Sequence, residues 1–153
     1  MKVTTPEAMH ALGASVGAVA RAGDLIVLNG PLGAGKTVFA QGLGFGLGVR
    51  ERVTSPTFVI AHVHRDGRVP FVHVDAYRLA SVLEVEDLDL PVAESVTAVE
   101  WGGGLVESLA DAWLEVRIDR HDDDTRTVVL DPHGGDWSSR VQNDAVPADQ
   151  DHE

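Results

Sequence analysis

The segment Gly30–Thr37 reads GPLGAGKT and matches the pattern G-x-x-x-x-G-K-[ST] at every fixed position. Phosphate oxygens need several donors that converge on a concave surface, and the backbone N–H groups of a wrapped loop supply them compactly. The apolar run Leu25–Leu28 precedes the loop, and a helix with an apolar face is expected from about Lys36. The segment therefore predicts a phosphate-binding loop between a buried strand and a helix. A glycine-rich turn that serves packing alone is the alternative.

The side chains of this loop suit a nucleotide triphosphate. The chain has ten arginines but only two lysines, Lys2 and Lys36. A compact ammonium at Lys36 suits the β- and γ-phosphates better than a planar guanidinium does, and the Thr37 hydroxyl suits Mg²⁺. The predicted nucleotide-binding positions here are Gly30, Leu32, Gly33, Ala34, Gly35, Lys36, Thr37 and Val38.

The remaining elements place the loop in a mixed sheet. Thr5 is a candidate N-cap of a first helix, and Asp66-Gly67 predicts a two-residue hairpin between strands. Leu114–Ile118 alternates apolar with charged residues, and Thr125–Leu130 is expected to pair back with it. Helices and strands alternate early and hairpins follow. The prediction is an α/β, P-loop NTPase-like three-layer fold with a mixed parallel and antiparallel sheet.

Length and charge narrow the organisation and the partners. A chain of 153 residues predicts one domain over 1–133, and the aperiodic stretch 134–153, which includes Trp137, is expected to be an acidic, disordered tail. A formal charge of −12 disfavours broad nucleic-acid binding. The chain lacks cysteine and an apolar run of about 18 residues, so neither disulfides nor a membrane span are expected and a cytoplasmic location is predicted.

Acidic residues that follow apolar strands are candidate metal ligands. Asp75 ends the run Phe71–Val74 in the manner of a Walker B aspartate, and Glu100 ends a second such run. Carboxylates at the carboxyl ends of strands face the crevice where α/β sheets bind ligands, although a solvated acid is the alternative for each. Thr57, in Ser55-Pro56-Thr57, is a candidate sensor of the γ-phosphate or part of a proline turn.

Two further groups have ordinary interpretations. His62 and His64 share one strand face and could ligate a metal, but no third ligand is in register, so a polar strand face is favoured. The acidic helix expected around Glu84–Asp87 is a candidate docking face or a solvated helix face.

Together these blocks resemble the TsaE (YjeE) family, the P-loop ATPases of bacterial tRNA threonylcarbamoyladenosine biosynthesis. The resemblance rests on GPLGAGKT at 30–37, VTSPTFV at 53–59, HVDAYRL at 73–79 and VEW at 99–101, in that order. Four ordered blocks are more specific than any one of them.

The resemblance implies roles for individual residues. It gives Lys36 the phosphate role, Thr37 and Glu100 the magnesium role, Asp75 a role in hydrolysis through the metal or water, and Thr57 that of a switch threonine. It places Tyr77, Arg78 and Trp101 near the site or on a partner face. Thr5 and Arg126 lie in segments that approach the nucleotide in similar proteins. The expected catalytic set is Lys36, Asp75, Thr57 and Glu100, and the expected metal set is Thr37, Glu100 and Asp75.

The resemblance also implies the activity and the partners. The expected function is ATP binding and slow, partner-stimulated hydrolysis with Mg²⁺, acting on a complex of a TsaD-like threonylcarbamoyl transferase and a TsaB-like subunit rather than on tRNA directly. A GTPase would need N-K-x-D, which neither Asn29 nor Asn143 begins. A small-molecule kinase and a nucleotide-dependent assembly switch without turnover remain alternatives.

Overall fold

The computed structural model describes residues 1–31, 34–50, 53, 61–75, 91–100 and 111–141. The α-helices in these ranges are α1 (Pro6–Val19), α2 (Lys36–Gly46) and α3 (Trp137–Arg140), and one turn of 3-10 helix spans Val92–Glu94. The strands are β1 (Lys2–Val3), β2 (Leu25–Asn29), β3 (Ala61–His64), β4 (Phe71–Asp75), β5 (Val96–Glu100), β6 (Trp113–Arg120) and β7 (Arg126–His133). None of the described helices is long and apolar enough to cross a bilayer.

The described strands form one mixed sheet in the order β1-β7-β6-β2-β5-β4-β3. The central strands β6, β2, β5 and β4 run parallel to one another, whereas β3, β7 and β1 pair antiparallel with their neighbours. The predicted α/β fold with a mixed sheet is thereby confirmed. Because the central strands are parallel, their carboxyl ends meet at one edge of the sheet, which is where such sheets bind ligands.

Both faces of β2 and β5, at the centre of the sheet, are buried. Ile26, Leu28 and Ala98 belong to the same apolar core as residues of α1 and α2. Val27 and Val99 alternate with them along β2 and β5 and are also buried, but they lie outside that core. Successive side chains of a strand point to opposite faces, so the sheet has a helix-covered face and a second buried face, as a three-layer fold requires.

Helices α1 and α2 lie parallel and touch backbone to backbone. A Cβ on Gly13 or Gly17 of α1 would collide with a carbonyl oxygen of α2, and a Cβ on Gly42 or Gly46 of α2 would collide with a carbonyl oxygen of α1. Glycines in a helix cost stability in isolation. Here that cost is offset by the close packing of the two helices, which a larger residue at these positions would prevent.

The loop between β3 and β4 is longer than the sequence predicts. His64 pairs with Phe71, so residues 65–70 form the connection, and the prediction of a two-residue turn at Asp66-Gly67 is wrong. The reason is tertiary, because the loop packs on the ends of both helices. The N–H of Arg68 donates to Leu47 O at 2.7 Å, and its guanidinium donates to Gly17 O at 2.7 Å and Ala20 O at 3.0 Å. The guanidinium thereby binds carbonyls at the C-terminal end of α1, and the Arg68 N–H binds one at the end of α2. Carbonyls at helix ends have few donors within their own helix.

The predicted start of the tail at residue 134 is also wrong for residues 134–141. Trp137 begins α3 and is 1% exposed within the core. The Arg140 guanidinium lies 4.0 Å from the Trp137 ring centre, pairs with Asp24 at 2.7 Å, and donates to Val19 O at 3.0 Å. Burial of one aromatic ring leaves no periodic signal in a sequence, which explains the error. Residues 142–153 lie outside the described residues.

The contact between α1 and α2 makes substitution of its glycines costly. Gly42→Ala should lower the free energy of unfolding. Overpacking costs about 1–3 kcal/mol, and since the obstacle is the His10 backbone, the cost should exceed the gain of about 1 kcal/mol from replacing a helical glycine. Gly44→Ala is the matched control, because its Cβ would meet the rotatable Val53 side chain at 3.0 Å. A urea midpoint that is at least as high for Gly42→Ala as for Gly44→Ala would contradict the arrangement.

The burial of Trp137 gives a second prediction. Trp137→Ala should destabilise the fold by about 3–5 kcal/mol, because it opens a large cavity and removes the stacking partner of Arg140. Ser138→Ala alters the exposed neighbour in the same helix and should change stability by less than about 0.5 kcal/mol. Thermal and urea unfolding measure both. Equal stability of the two variants would contradict the burial of Trp137 and show that residue 137 belongs to the predicted tail.

Candidate nucleotide site

The glycine-rich loop joins the end of β2 to the start of α2 in a conformation that requires glycine. Gly35 has φ +115° and immediately precedes α2. A Cβ at Gly30 would lie 2.6 Å from the carbonyl oxygen of Ile118. Only glycine adopts that φ without strain and tolerates that approach. Both glycines therefore have a backbone reason for their place in the motif, and Leu32 and Gly33 lie outside the described residues.

Lys36 concentrates positive charge at this loop. Its side chain belongs to the first residue of α2, is 5% exposed, and donates from Nζ to Gly30 O at 2.7 Å and Pro31 O at 3.1 Å. The N-terminal end of a helix adds a positive field from its unpaired N–H groups. A buried ammonium is costly without partners, and the loop carbonyls supply them. The arrangement favours an anion bound over the loop.

Two candidate acids lie at the adjacent strand ends. Glu100 is in register with Leu28 of β2 on one side and with Asp75 of β4 on the other. Neighbouring strands are about 4.8 Å apart, so Glu100 lies beside the end of β2 that leads into the glycine-rich loop, and the Asp75 backbone lies one strand farther along the same edge. Thr37, half-buried in the first turn of α2, adds a hydroxyl. Hydroxyl and carboxylate oxygens are the donors that Mg²⁺ prefers, so this set of residues fits a magnesium ion.

The Glu100 carboxylate has a partner that the sequence reasoning missed. His73 Nε2 lies 2.6 Å from Glu100 Oε2, and both side chains are buried, at 0% and 5% exposed. His73 belongs to the HVDAYRL block and lies two residues before Asp75. The alternation of side chains along β4 could have indicated this contact, because His73 lies two residues after Phe71 and therefore on the same helix-covered face.

A cavity of about 110 Å³ lies beside the loop, between the N-termini of α1 and α2. It brings Thr5 and Arg126 next to Ala34 and Gly35 at the end of the loop. Its lining residues are Val3, Thr4, Thr5, Pro6, Met9, Ala34, Gly35, Val38, Asp124 and Arg126. Thr5 also caps α1, accepting a bond from the Ala8 N–H at 3.0 Å. The lining is part apolar and part charged, which suits a flat polar ring or a sugar.

Arg126 links this cavity to the loop. Its Nε donates to Ala34 O at 3.0 Å, and its guanidinium also bonds to the backbone oxygen and the side chain of Asp124. Hydrogen bonds from Arg120 and from Arg126 lower the pKa of Asp124 below its ordinary value. The β6–β7 turn thus places a fixed positive and a fixed negative charge at the mouth of the cavity.

Several predicted site residues lie outside the described residues. These are Leu32, Gly33, Thr57, Tyr77, Arg78, Trp101 and the acidic segment 84–87. Of Asp75, the structure gives the backbone position at the end of β4. The roles of Lys36, Thr37, Glu100, Asp75, Thr5 and Arg126 stay predictions that the geometry accommodates.

A second cluster of possible metal ligands is an ion-pair network. Glu115, Asp131 and His133 offer ligand atoms within 4.8 Å of one another. Arg117 bridges the two carboxylates, at 3.3 Å from Glu115 and 2.8 Å from Asp131. The hydrogen bond from Arg117 lowers the pKa of Asp131. Since Arg117 already binds both carboxylates and the Asn29 amide also donates to Glu115 at 2.9 Å, we assign the cluster a structural role.

Comparisons with known proteins agree with one another. A family model described as Threonylcarbamoyl adenosine biosynthesis protein TsaE matches residues 3–128. The tRNA threonylcarbamoyladenosine biosynthesis protein TsaE of Streptomyces coelicolor is 53% identical over 141 residues, which cover 86% of this chain and 95% of that protein. The TsaE protein of Bacillus subtilis is 38% identical over 132 residues, covering 84% and 82%. The crystal structure of Bacillus subtilis YdiB superposes with a TM-score of 0.78 at 31% identity, covering 93% of this chain and 90% of that one.

The histidines beside the site give a pH prediction. His62 lies opposite His73 on the neighbouring strand. Burial, followed by repulsion from His64 and His73, lowers the pKa of His62 below 6.5. Below pH 6.5 the unfolded chain therefore binds more protons at this residue than the native chain does. The free energy of unfolding consequently decreases as the pH decreases.

His62→Gln should flatten that decline, because the substituted side chain does not titrate. Unfolding free energies measured by urea between pH 5 and 8 test the prediction. We expect wild type and variant to be similar at pH 8 and to diverge as the pH falls. Parallel profiles across the whole range would show that His62 does not contribute.

Proposed function

This chain belongs to the TsaE family and has a role in tRNA threonylcarbamoyladenosine biosynthesis, and we propose that its part is to bind and hydrolyse ATP. The observation that carries the proposal is the meeting of a buried lysine, a glycine loop and two acidic strand ends at one edge of the sheet. Each is a component that P-loop ATPases use. The adjacent cavity supports a place for the nucleoside.

The chain's own residues account for the phosphate end of the nucleotide. The backbone N–H groups of the loop and the Lys36 ammonium bind the β- and γ-phosphates and oppose their negative charge. Thr37, Glu100 and Asp75 would hold Mg²⁺, which when bound neutralises the phosphate oxygens. Asp75 or Thr57 would orient the attacking water. Because the donors are fixed before the reaction, little reorganisation is needed as charge develops.

The cavity residues account for the nucleoside end. Val38 and Met9 offer apolar surface to a base, and Thr5 and Arg126 offer polar contacts at its mouth. A guanine-reading N-K-x-D is absent from the sequence, which favours adenine. The cavity also adjoins Gly35, so a nucleoside there would be continuous with phosphates over the loop.

The partners follow from charge and from the family role. We infer that the chain docks on a TsaD-like threonylcarbamoyl transferase paired with a TsaB-like subunit and resets that complex by hydrolysis. A charge of −12 suits docking on proteins better than holding tRNA. The proposal implies a cytoplasmic location, which a chain without cysteine suits. Hydrolysis should be slow alone, because an arginine supplied by a partner can add about 10³-fold or more.

Removal of the buried ammonium tests the proposal. Lys36→Ala should weaken MgATP binding about 10- to 100-fold, since charged hydrogen bonds contribute about 1.5–3 kcal/mol, and should abolish hydrolysis while the circular dichroism spectrum is retained. Lys2→Ala is the matched control, because Lys2 is the chain's other lysine and is exposed on β1. Calorimetric titration and phosphate release measure binding and turnover. An unchanged affinity of Lys36→Ala for MgATP would contradict the proposal that this loop binds the nucleotide.

Hydrolysis measured with and without the transferase pair separates the alternatives. We expect faster phosphate release from ATP, and not from GTP, when the pair is added. Repeated modification cycles with a non-hydrolysable analogue would instead support an assembly switch. Phosphate transfer to a nucleoside or sugar would support a kinase. Turnover already at full rate in the isolated chain would contradict stimulation by a partner.

A further inference from the structure

The side chains of His73 and Glu100 form a buried hydrogen-bonded pair at the edge of the proposed site. The two residues lie on the adjacent parallel strands β4 and β5, near the carboxyl ends, on the helix-covered face. The Nε2–Oε2 distance of 2.6 Å is that of a short, charge-assisted hydrogen bond. Among the described residues, His73 is the one hydrogen-bond partner of the Glu100 side chain.

The direction of this bond follows from its chemistry. A carboxylate that binds a metal ion only accepts hydrogen bonds, so in the proposed magnesium site the Nε2–H of His73 donates to Oε2. His73 Nδ1 is buried and has no hydrogen-bond partner within the described ranges. Buried polar atoms are normally paired. Burial of His73 therefore leaves Nδ1 unpaired, which is unfavourable. The hydrogen bond between Nε2 and Glu100 is the favourable interaction of the ring that offsets this cost.

The ring orientation is fixed by packing. The Phe71 ring lies 6.0 Å from the His73 ring at 15°, and the His64 ring of the neighbouring strand lies 5.9 Å from the Phe71 ring at 22°. His73 is fully buried. A ring held in this way presents Nε2 in one direction and restricts the carboxylate that it binds.

We propose that His73 is a positioning residue that fixes the Glu100 carboxylate for magnesium. With Oε2 bound to His73, the other carboxylate oxygen is left for the metal. The proposal rests on the magnesium–nucleotide function proposed above. Outer partners of this kind orient metal ligands and typically change metal affinity 10- to 100-fold when removed. The cost of burying Glu100 gives a second reason, since a buried carboxylate without a donor is strongly disfavoured.

The test measures metal affinity and not only turnover. Mn²⁺ binding to the complex with a non-hydrolysable ATP analogue is followed by electron paramagnetic resonance, and binding of the analogue alone is measured in EDTA. His73→Leu should weaken Mn²⁺ binding about 10- to 100-fold and leave metal-free analogue binding unchanged. His73→Gln places an amide N–H near the position of Nε2 and should recover most of the affinity. Equal losses in the two variants would overturn the proposal.

A double-mutant cycle separates positioning from a general loss of structure. Glu100→Gln removes the carboxylate on which His73 acts, so His73→Leu should have little further effect on Mn²⁺ affinity in that background. The same loss in both backgrounds would contradict action through Glu100. Val72→Ala removes buried volume from the same strand on the opposite face and should leave Mn²⁺ affinity unchanged.

The outcomes distinguish this inference from the proposed function. If the wild-type chain does not bind Mn²⁺ with the analogue, the magnesium–nucleotide function fails. If the wild type binds and His73→Leu binds equally well, only the positioning role fails.

Discussion

The backbone contact between α1 and α2 is the constraint on which the site depends. Four glycines, two in each helix, remove the side chains that would keep the parallel helices apart. Their parallel arrangement brings Thr5 and Met9 at the start of α1 beside Gly35 and Val38 at the start of α2. The cavity beside the glycine-rich loop exists because of this alignment. A helix separation set by leucine or valine would move the N-terminus of α1 away from the loop.

The sheet supplies the second half of the site through parallel pairing. The ends of β2, β5 and β4 are in register, so the glycine loop, Glu100 and Asp75 meet although they are far apart in the sequence. Lys36 and Glu100 are both about 5% exposed at this edge. Each buried charge has its own protein partners, the loop carbonyls for Lys36 and the His73 ring for Glu100. Fixed charges in a sheltered site interact with a ligand more strongly than charges in water do.

Much of the fold could be predicted because local signals agreed with one another. The Thr5 cap and the apolar run of β2 each follow from short-range chemistry, and each was observed. The errors arose where contacts with distant segments of the chain determine the local structure. The loop at Asp66-Gly67 is lengthened by its contacts with the ends of α1 and α2. Trp137 is buried in the core beside Arg140, which pairs with Asp24 more than a hundred residues earlier.

The sequence by itself determined the glycine-rich loop between β2 and α2, because its glycines, lysine and threonine stand at fixed local spacing, and it also indicated which acids follow strands. Only the tertiary structure decided that His73 binds Glu100, that Arg126 reaches Ala34 across 92 positions, and that the helices touch through glycine. These contacts depend on strand order, face and helix separation, which no single segment contains.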